Sequence, residues 1–236
     1  RRPGNPGEEG HYEQNLAQFL NVNAMFEVEK KFKIPADFTR VLLEKGWKYL
    51  KEVHLIDVYF DTEKYQLTRS DYWLRKRGTK WQFKCPTQLQ EDPNSVTIDR
   101  YEELEDEKTI CERLASILDA ESSSIIHKTA DNVVEILGLK PIAIFESFRT
   151  KYQLDMFTID LDKTNFGYEL GEIEIMCEKS SDMEQATGKI FDMAGQLGIN
   201  ILNDVTGKVG IYLKLNNRAL YDELVAKGIL VAETPL

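Results

Sequence analysis

Apolar and polar positions alternate with a period of two over much of the chain, the mark of strands whose two faces meet different surroundings. The segments Phe26–Ile34, Val53–Phe60, Tyr72–Arg77, Lys80–Cys85 and Ile98–Leu104 read this way. So do Ala143–Tyr152, Met156–Asp162, Leu170–Cys177 and Val209–Leu215. Gly78-Thr79 makes a tight hairpin turn between two of them. Helical spacing fills the intervals. Pro35 opens a helix that carries Phe38, Val41 and Leu42 and ends at Gly46. Thr109–Leu118 sets Ile110, Leu114 and Ile117 or Leu118 on one stripe, and Thr129–Leu137 repeats the pattern before Gly138 and Pro141 stop it. Asp182–Leu197 is a helix closed by Gly198, and Arg218–Ala226 is a last one. Eight or nine strands with helices between them predict one α+β domain built on an antiparallel sheet or barrel.

Residues 1–24 break the pattern, being rich in Gly, Pro and Asn and then weakly amphipathic. They are expected to be a leader or extension outside a single domain spanning 25–236. The whole chain has 236 residues and a net charge of −10. An acidic balance argues against nucleic acid as partner, which would need a broad basic face. Three scattered cysteines, Cys85, Cys111 and Cys177, show no zinc spacing and read as free thiols of a reducing compartment. No run of about 18 apolar residues is present, so no membrane helix is expected. A cytoplasmic monomer is the expectation.

Charge is distributed unevenly over the strand faces. Glu27, Glu29 and Lys31 share one face. Trp73, Arg75 and Arg77 share another, as do Gln82 and Lys84, Asp160 and Asp162, and Glu172 and Glu174. The opposite faces hold Val28, Leu74, Trp81, Phe83, Ile159, Ile173 and Ile175. One such strand is what a sheet half in water shows. Here the polar faces are nearly pure charge and the signs segregate by strand. That predicts a barrel with charged faces lining a central passage and apolar faces turned outward under the helices. Clustered carboxylates suit a hard divalent cation, Mg²⁺ or Mn²⁺. Clustered Arg and Lys suit an oxyanion, phosphate above all. Both together point to a metal-bound polyphosphate.

Other signals carry less. Gly207-Lys208 lacks the glycine spacing and following hydroxyl of a P-loop. His11, His54 and His127 have no metal spacing. Ser122-Ser123-Ser124 reads as a helix cap, not a nucleophile. The acidic run 102–107 reads as a solvated loop start, with Glu103 as the exception.

The pattern Glu27-x-Glu29-x-Lys31 resembles the signature of the CYTH, or triphosphate tunnel metalloenzyme, superfamily. The stretches Asp57-Val-Tyr-Phe-Asp61-Thr62, Asp71-Tyr-Trp73-Leu74-Arg75-Lys76-Arg77 and Trp81-x-x-Lys84-Cys85-Pro86 resemble its animal thiamine triphosphatase branch. So does Ile159-Asp160-Leu-Asp162 through Phe166-Gly167-Tyr168 to Gly171-Glu172-x-Glu174. The resemblance covers about residues 25–215. It implies a closed eight-stranded antiparallel barrel with a charged interior, surrounded by helices. It also implies metal-dependent hydrolysis of a small organic triphosphate, thiamine triphosphate in that branch, with Mg²⁺ (or Mn²⁺) as cofactor. Inorganic triphosphate, another organic triphosphate, or polyphosphate binding without catalysis are the alternatives.

By the same resemblance, Glu27, Glu29, Asp160, Glu172 and Glu174 are the metal-holding acids, with Asp162 as a supporting neighbour. Lys31, Arg75, Arg77, Lys84, Arg149 and Lys208 are the triphosphate-binding bases, with Lys151 the rival of Arg149. Glu103 is a further tunnel acid, counted with Lys31 and Tyr59 in the catalytic set. Tyr59 and Lys31 are read as a proton-accepting pair, which favours alkaline solution because both side-chain types ordinarily titrate near about 10. Trp73, one step outward from Arg75, could receive a cationic ring, worth roughly 0.5–2 kcal/mol. It could equally be a core or rim tryptophan.

Overall fold

The computed structural model describes residues 25–87, 98–121, 125, 128–200 and 205–232. The leader 1–24, His11, His127 and Ser122–Ser124 lie outside the described residues. Eight strands run β1 (Met25–Phe32), β2 (Lys48–Asp61), β3 (Trp73–Arg77), β4 (Lys80–Pro86), β5 (Asp99–Leu104), β6 (Lys140–Leu154), β7 (Phe157–Thr164) and β8 (Glu169–Cys177). They close into a barrel in the order β1-β5-β4-β3-β2-β6-β7-β8, and every pairing is antiparallel. The helices are α1 (Phe38–Glu44), α2 (Glu107–Ile117), α3 (Ala130–Ile136), α4 (Met183–Leu197), α5 (Lys208–Asn216) and α6 (Arg218–Ala226).

Helices cover outward apolar faces on two parts of the barrel. Val28, Ile159, Ile173 and Ile175 pack with Phe38 and Leu42 of α1 and with Met183, Ile190 and Ala194 of α4. On the far side, Leu74, Trp81, Phe83 and Leu104 pack with Ile110 and Leu114 of α2 and Val133 of α3. Helix starts follow their caps: Asp106 accepts from the Thr109 amide and Thr129 from the Asn132 amide. Gly198 ends α4 with φ +69°, a conformation that costs a side-chain-bearing residue more.

A third apolar cluster lies at one end of the barrel. Tyr59, Trp73, Ala143 and Phe145 meet Leu213 of α5 and Leu220, Tyr221 and Leu224 of α6. This corrects the reading of 209–215 as a strand: those residues belong to α5. Their Val, Ile, Tyr and Leu content favours a strand locally. However, β1 already pairs with both β5 and β8, so the closed barrel offers no edge for a ninth. The segment folds instead as a helix, and Leu213 is wholly buried. Strands β2 and β6 are also longer than alternation suggested. They run as a long antiparallel pair from Lys48 opposite Gln153 to Asp61 opposite Lys140.

Candidate functional site

Register brings the charged faces together. Going round the barrel, Glu29 stands opposite Asp99 and Glu27 opposite Tyr101 on β5. Lys84 stands opposite Glu103 and opposite Trp73, with Arg75 facing Gln82. Tyr59 stands opposite Arg75, and Asp57 opposite Arg77. Arg149 faces Asp162 and Lys151 faces Asp160 on β7. Asp160 faces Glu172, and Lys31 faces Glu172 while Glu29 faces Glu174. Because side chains alternate between faces, these pairs form one continuous inner wall.

Taking this much charge out of water is costly unless each group is paired. The bases are bound to acids accordingly. Arg149 donates from Nε and Nη2 to the two oxygens of Asp162 at 2.7 and 2.6 Å, and from Nη2 to Glu172 at 2.7 Å. It also pairs with Asp160. Lys208, at the first turn of α5, donates to Glu172 at 2.8 Å and pairs with Asp162. Lys151 reaches Asp160 at 2.8 Å. Lys31 donates to Glu29 at 2.6 Å and pairs with Asp99. Lys84 pairs with Glu27 and lies over the Tyr101 ring, 5.6 Å from its centroid. Arg75 donates from Nε to Gln82 at 2.8 Å and lies 3.4 Å from the Tyr59 hydroxyl and 3.5 Å from Glu103.

Lys31, Lys84, Arg75 and Arg149 are held in the charged form by their neighbours. Burial alone would lower the pKa of Lys31, but Asp99, Glu29 and Glu172 hold it well above the ordinary lysine value. The same opposition raises Lys84 through Glu27, Glu29 and Glu103, and Arg75 through Tyr59, Asp57 and Glu103.

Among the acids, Glu27, Glu29 and Glu174 each offer an oxygen within 4.8 Å of the other two. Burial, opposed by Lys84 and reinforced by Glu29, Glu103 and Glu174, pushes Glu27 up to about 8. Burial and the Asp160 charge push Glu174 up to about 7. For Glu29, burial is overcome by Lys31 and Lys84, which bring it down to about 2. Two buried carboxylates and a half-buried one this close, with oxygen as their only donor, have the chemistry of a hard divalent cation site. The residues therefore fit a cation of that class.

The structure sorts the expected residues. Lys31, Tyr59, Trp73, Arg75, Lys84, Arg149 and Lys208 line one cavity with Glu27, Glu29, Glu172 and Glu174. Asp160 and Glu172, expected with the metal-holding acids, are bonded to Arg149, Lys151 and Lys208. Arg77 forms a two-pronged pair with the fully buried Asp57, at 2.6 and 2.8 Å. Trp73 is 7% exposed and its indole nitrogen donates to Asp71 at 2.8 Å. Asp61, in the same motif, accepts from the Leu67 and Thr68 amides and so holds a turn.

Sequence reasoning missed Asp99 and Tyr101, which line the cavity on the same β5 face as Glu103. Their places two and four residues before Glu103, on the same strand face, are the signal that would have found them. It also missed the apolar part of the lining, Val205 and the segment Ile229–Val231.

Among the described residues, no helix is long and apolar enough to cross a membrane. The chain is 29% identical to thiamine-triphosphatase of Homo sapiens over 201 residues, 80% of this chain and 85% of the relative. It is 28% identical to the Macaca fascicularis protein of that name over 211 residues, 85% and 90% of the two chains. A solved protein of Pyrococcus horikoshii OT3 shares the fold with a TM-score of 0.54 at 19% identity, over 81% of this chain and 99% of its own. One from Vibrio parahaemolyticus does so with a TM-score of 0.55 at 18% identity and the same coverage. The CYTH domain family matches residues 25–207. On that match and this barrel, the chain belongs to the CYTH domain family.

Proposed function

We propose that the protein hydrolyses a small organic triphosphate, thiamine triphosphate first among them, to the diphosphate and phosphate with the help of a divalent cation. The observation that carries this reading is the two-signed wall: a carboxylate trio, Glu27, Glu29 and Glu174, beside Arg75, Lys84, Lys31, Arg149 and Lys208 in one cavity. The relatives called thiamine-triphosphatase support the choice of substrate.

Phosphoryl transfer to water asks the protein mainly for positioning and charge stabilisation. Arg75, Lys84, Arg149, Lys208 and Lys31 supply fixed positive charge from several strands and the first turn of α5. A triphosphate threaded among them would exchange their carboxylate partners for its own oxygens. Asp160, Asp162 and Glu172 aim Arg149 and Lys208 before substrate arrives, which lowers the ordering cost of binding. Glu27, Glu29 and Glu174 would hold Mg²⁺ or Mn²⁺, which when bound polarises phosphate oxygens and acidifies water. Lys31, held protonated by its acids, serves as an electrostatic anchor. Tyr59, beside Arg75, is the proposed proton acceptor. Trp73 would stand against the cationic ring. Arg77 serves through Asp57, as the brace of the β2–β3 wall.

Phosphate release from thiamine triphosphate, ATP and inorganic triphosphate in Mg²⁺ tests the reading. The expected order puts thiamine triphosphate first. Tight binding of all three without turnover would replace the enzyme by a polyphosphate-binding module.

A further inference from the structure

The cavity lining has two parts of different chemistry. One is the charged wall described above. The other is formed by Val205, Ile229, Leu230 and Val231, in a lining shared with Trp73 and Tyr101; Ile229, Leu230 and Tyr101 pack against the apolar cluster that holds Trp73. Aliphatic groups offer nothing to a phosphate, but they offer a dry surface to a carbon ring. The segment 229–231 follows α6 after Gly228, which turns the chain with φ +73°. It is secured at two points. The Ile229 amide donates to the Leu224 carbonyl at 2.9 Å. The Thr206 hydroxyl donates to the Val231 carbonyl at 2.6 Å. Thr206 is itself fixed, because the Tyr168 hydroxyl donates to its carbonyl at 2.6 Å. Gly210 lets the strap lie close: a Cβ there would meet Thr206 Cγ2 at 2.6 Å and Leu230 at 3.3 Å. The CYTH match ends at residue 207, so the strap stands outside the matched segment.

We propose that the strap Ile229–Val231, latched by Thr206, is a specificity element that seats the organic group of the substrate and sets preference for organic over inorganic triphosphate. This rests on the triphosphate reading of the charged wall and deepens it. Phosphates bind at the charged part; the ring enters between the strap and the aromatic side chains. Trimming Leu230 removes apolar contact from the ring and none from the phosphates. Unlatching Val231 loosens the whole wall.

The test is calorimetric titration of the full chain, Leu230→Ala and Thr206→Val with thiamine triphosphate and with inorganic triphosphate, both in Mg²⁺, together with kcat/KM wherever turnover occurs. The ratio of affinities, organic over inorganic, is expected to fall about tenfold in Leu230→Ala, the scale of a lost apolar contact in a pocket, and in the same direction in Thr206→Val. Thr206→Val keeps the side-chain shape, so it still decides the matter if Leu230→Ala fails to fold. A ratio within twofold of the parent in both variants, or equal parental affinity for the two ligands, overturns the strap. Absence of hydrolysis with selectivity intact overturns the enzyme reading and leaves the strap standing.

Discussion

Asp57→Asn is the substitution whose consequence the geometry defines most sharply. Asp57 is wholly buried and takes both prongs of Arg77, whose side chain is 17% exposed. Asn keeps the shape but removes the negative charge, leaving a mostly buried guanidinium without its counter-ion. Breaking a buried pair this way costs about 3–5 kcal/mol. Residual access of Arg77 to water places the expectation at about 3 kcal/mol. In a chain of this size that lowers Tm by about 6–12 °C. The loss also depends on pH. Burial alone would raise the Asp57 pKa, but the Arg77 hydrogen bonds and the charges of Arg75, Arg77 and Lys208 bring it below the ordinary value. A depressed carboxylate stabilises the fold fully above its unfolded pKa, about 3.9, and loses that contribution as pH falls through the lower folded value. The gap between parent and Asp57→Asn should therefore be full near neutrality and shrink only in acid below about pH 4. Urea unfolding at a series of pH values, with Arg77→Met and the double variant to complete the cycle, measures it. A gap under about 0.5 kcal/mol at pH 7, the size of an ordinary surface change, would refute the reasoning and return Arg77 to the substrate.

Other substitutions probe separate parts of the account. Gly171→Ala puts a methyl group 2.3–2.8 Å from atoms of the buried Phe32 ring. Overpacking of that kind costs about 1–3 kcal/mol, read as a lower Tm with unchanged substrate preference. Tyr59→Phe should lower kcat by about 10²–10⁴-fold, the scale of a lost proton acceptor; an unchanged kcat takes Tyr59 out of the mechanism. Trp73→Ala should lower kcat/KM for thiamine triphosphate relative to inorganic triphosphate by about 2–30-fold, the equivalent of one cation–π contact. Equal loss on both substrates would make Trp73 a packing residue.

The barrel and most of its inner wall were legible because strand periodicity is strict. Once Glu27, Glu29 and Lys31 share a face, register decides only which neighbours they meet. The same rule applied to β5 would have delivered Asp99 and Tyr101, since Glu103 already marked the face. What period two cannot show is which residues of neighbouring strands pair. Asp57 and Arg77 are 20 residues apart in the chain, and nothing local says that this arginine faces a buried acid while Arg75 faces the cavity. Likewise the division of the acids, Glu27, Glu29 and Glu174 together and Asp160 with Glu172 among the bases, is a matter of distances around a closed ring. The segment 209–215 failed for the opposite reason. Its composition suits a strand, and only closure of the barrel, a property of the whole sheet, forces it into a helix. The apolar strap 229–231 carries no motif, because its neighbours Thr206 and Gly210 come from a different helix boundary.

Whether the acids and bases of one passage act together on a metal–triphosphate ligand is read from binding linkage. Inorganic triphosphate is titrated into the parent and into Glu27→Gln/Glu29→Gln with and without Mg²⁺. If the carboxylates and the bases serve one ligand, Mg²⁺ tightens triphosphate binding by at least about tenfold, triphosphate tightens Mg²⁺ by the same factor, and the double variant loses both effects. Triphosphate affinity that is the same with and without Mg²⁺ in the parent would contradict the account.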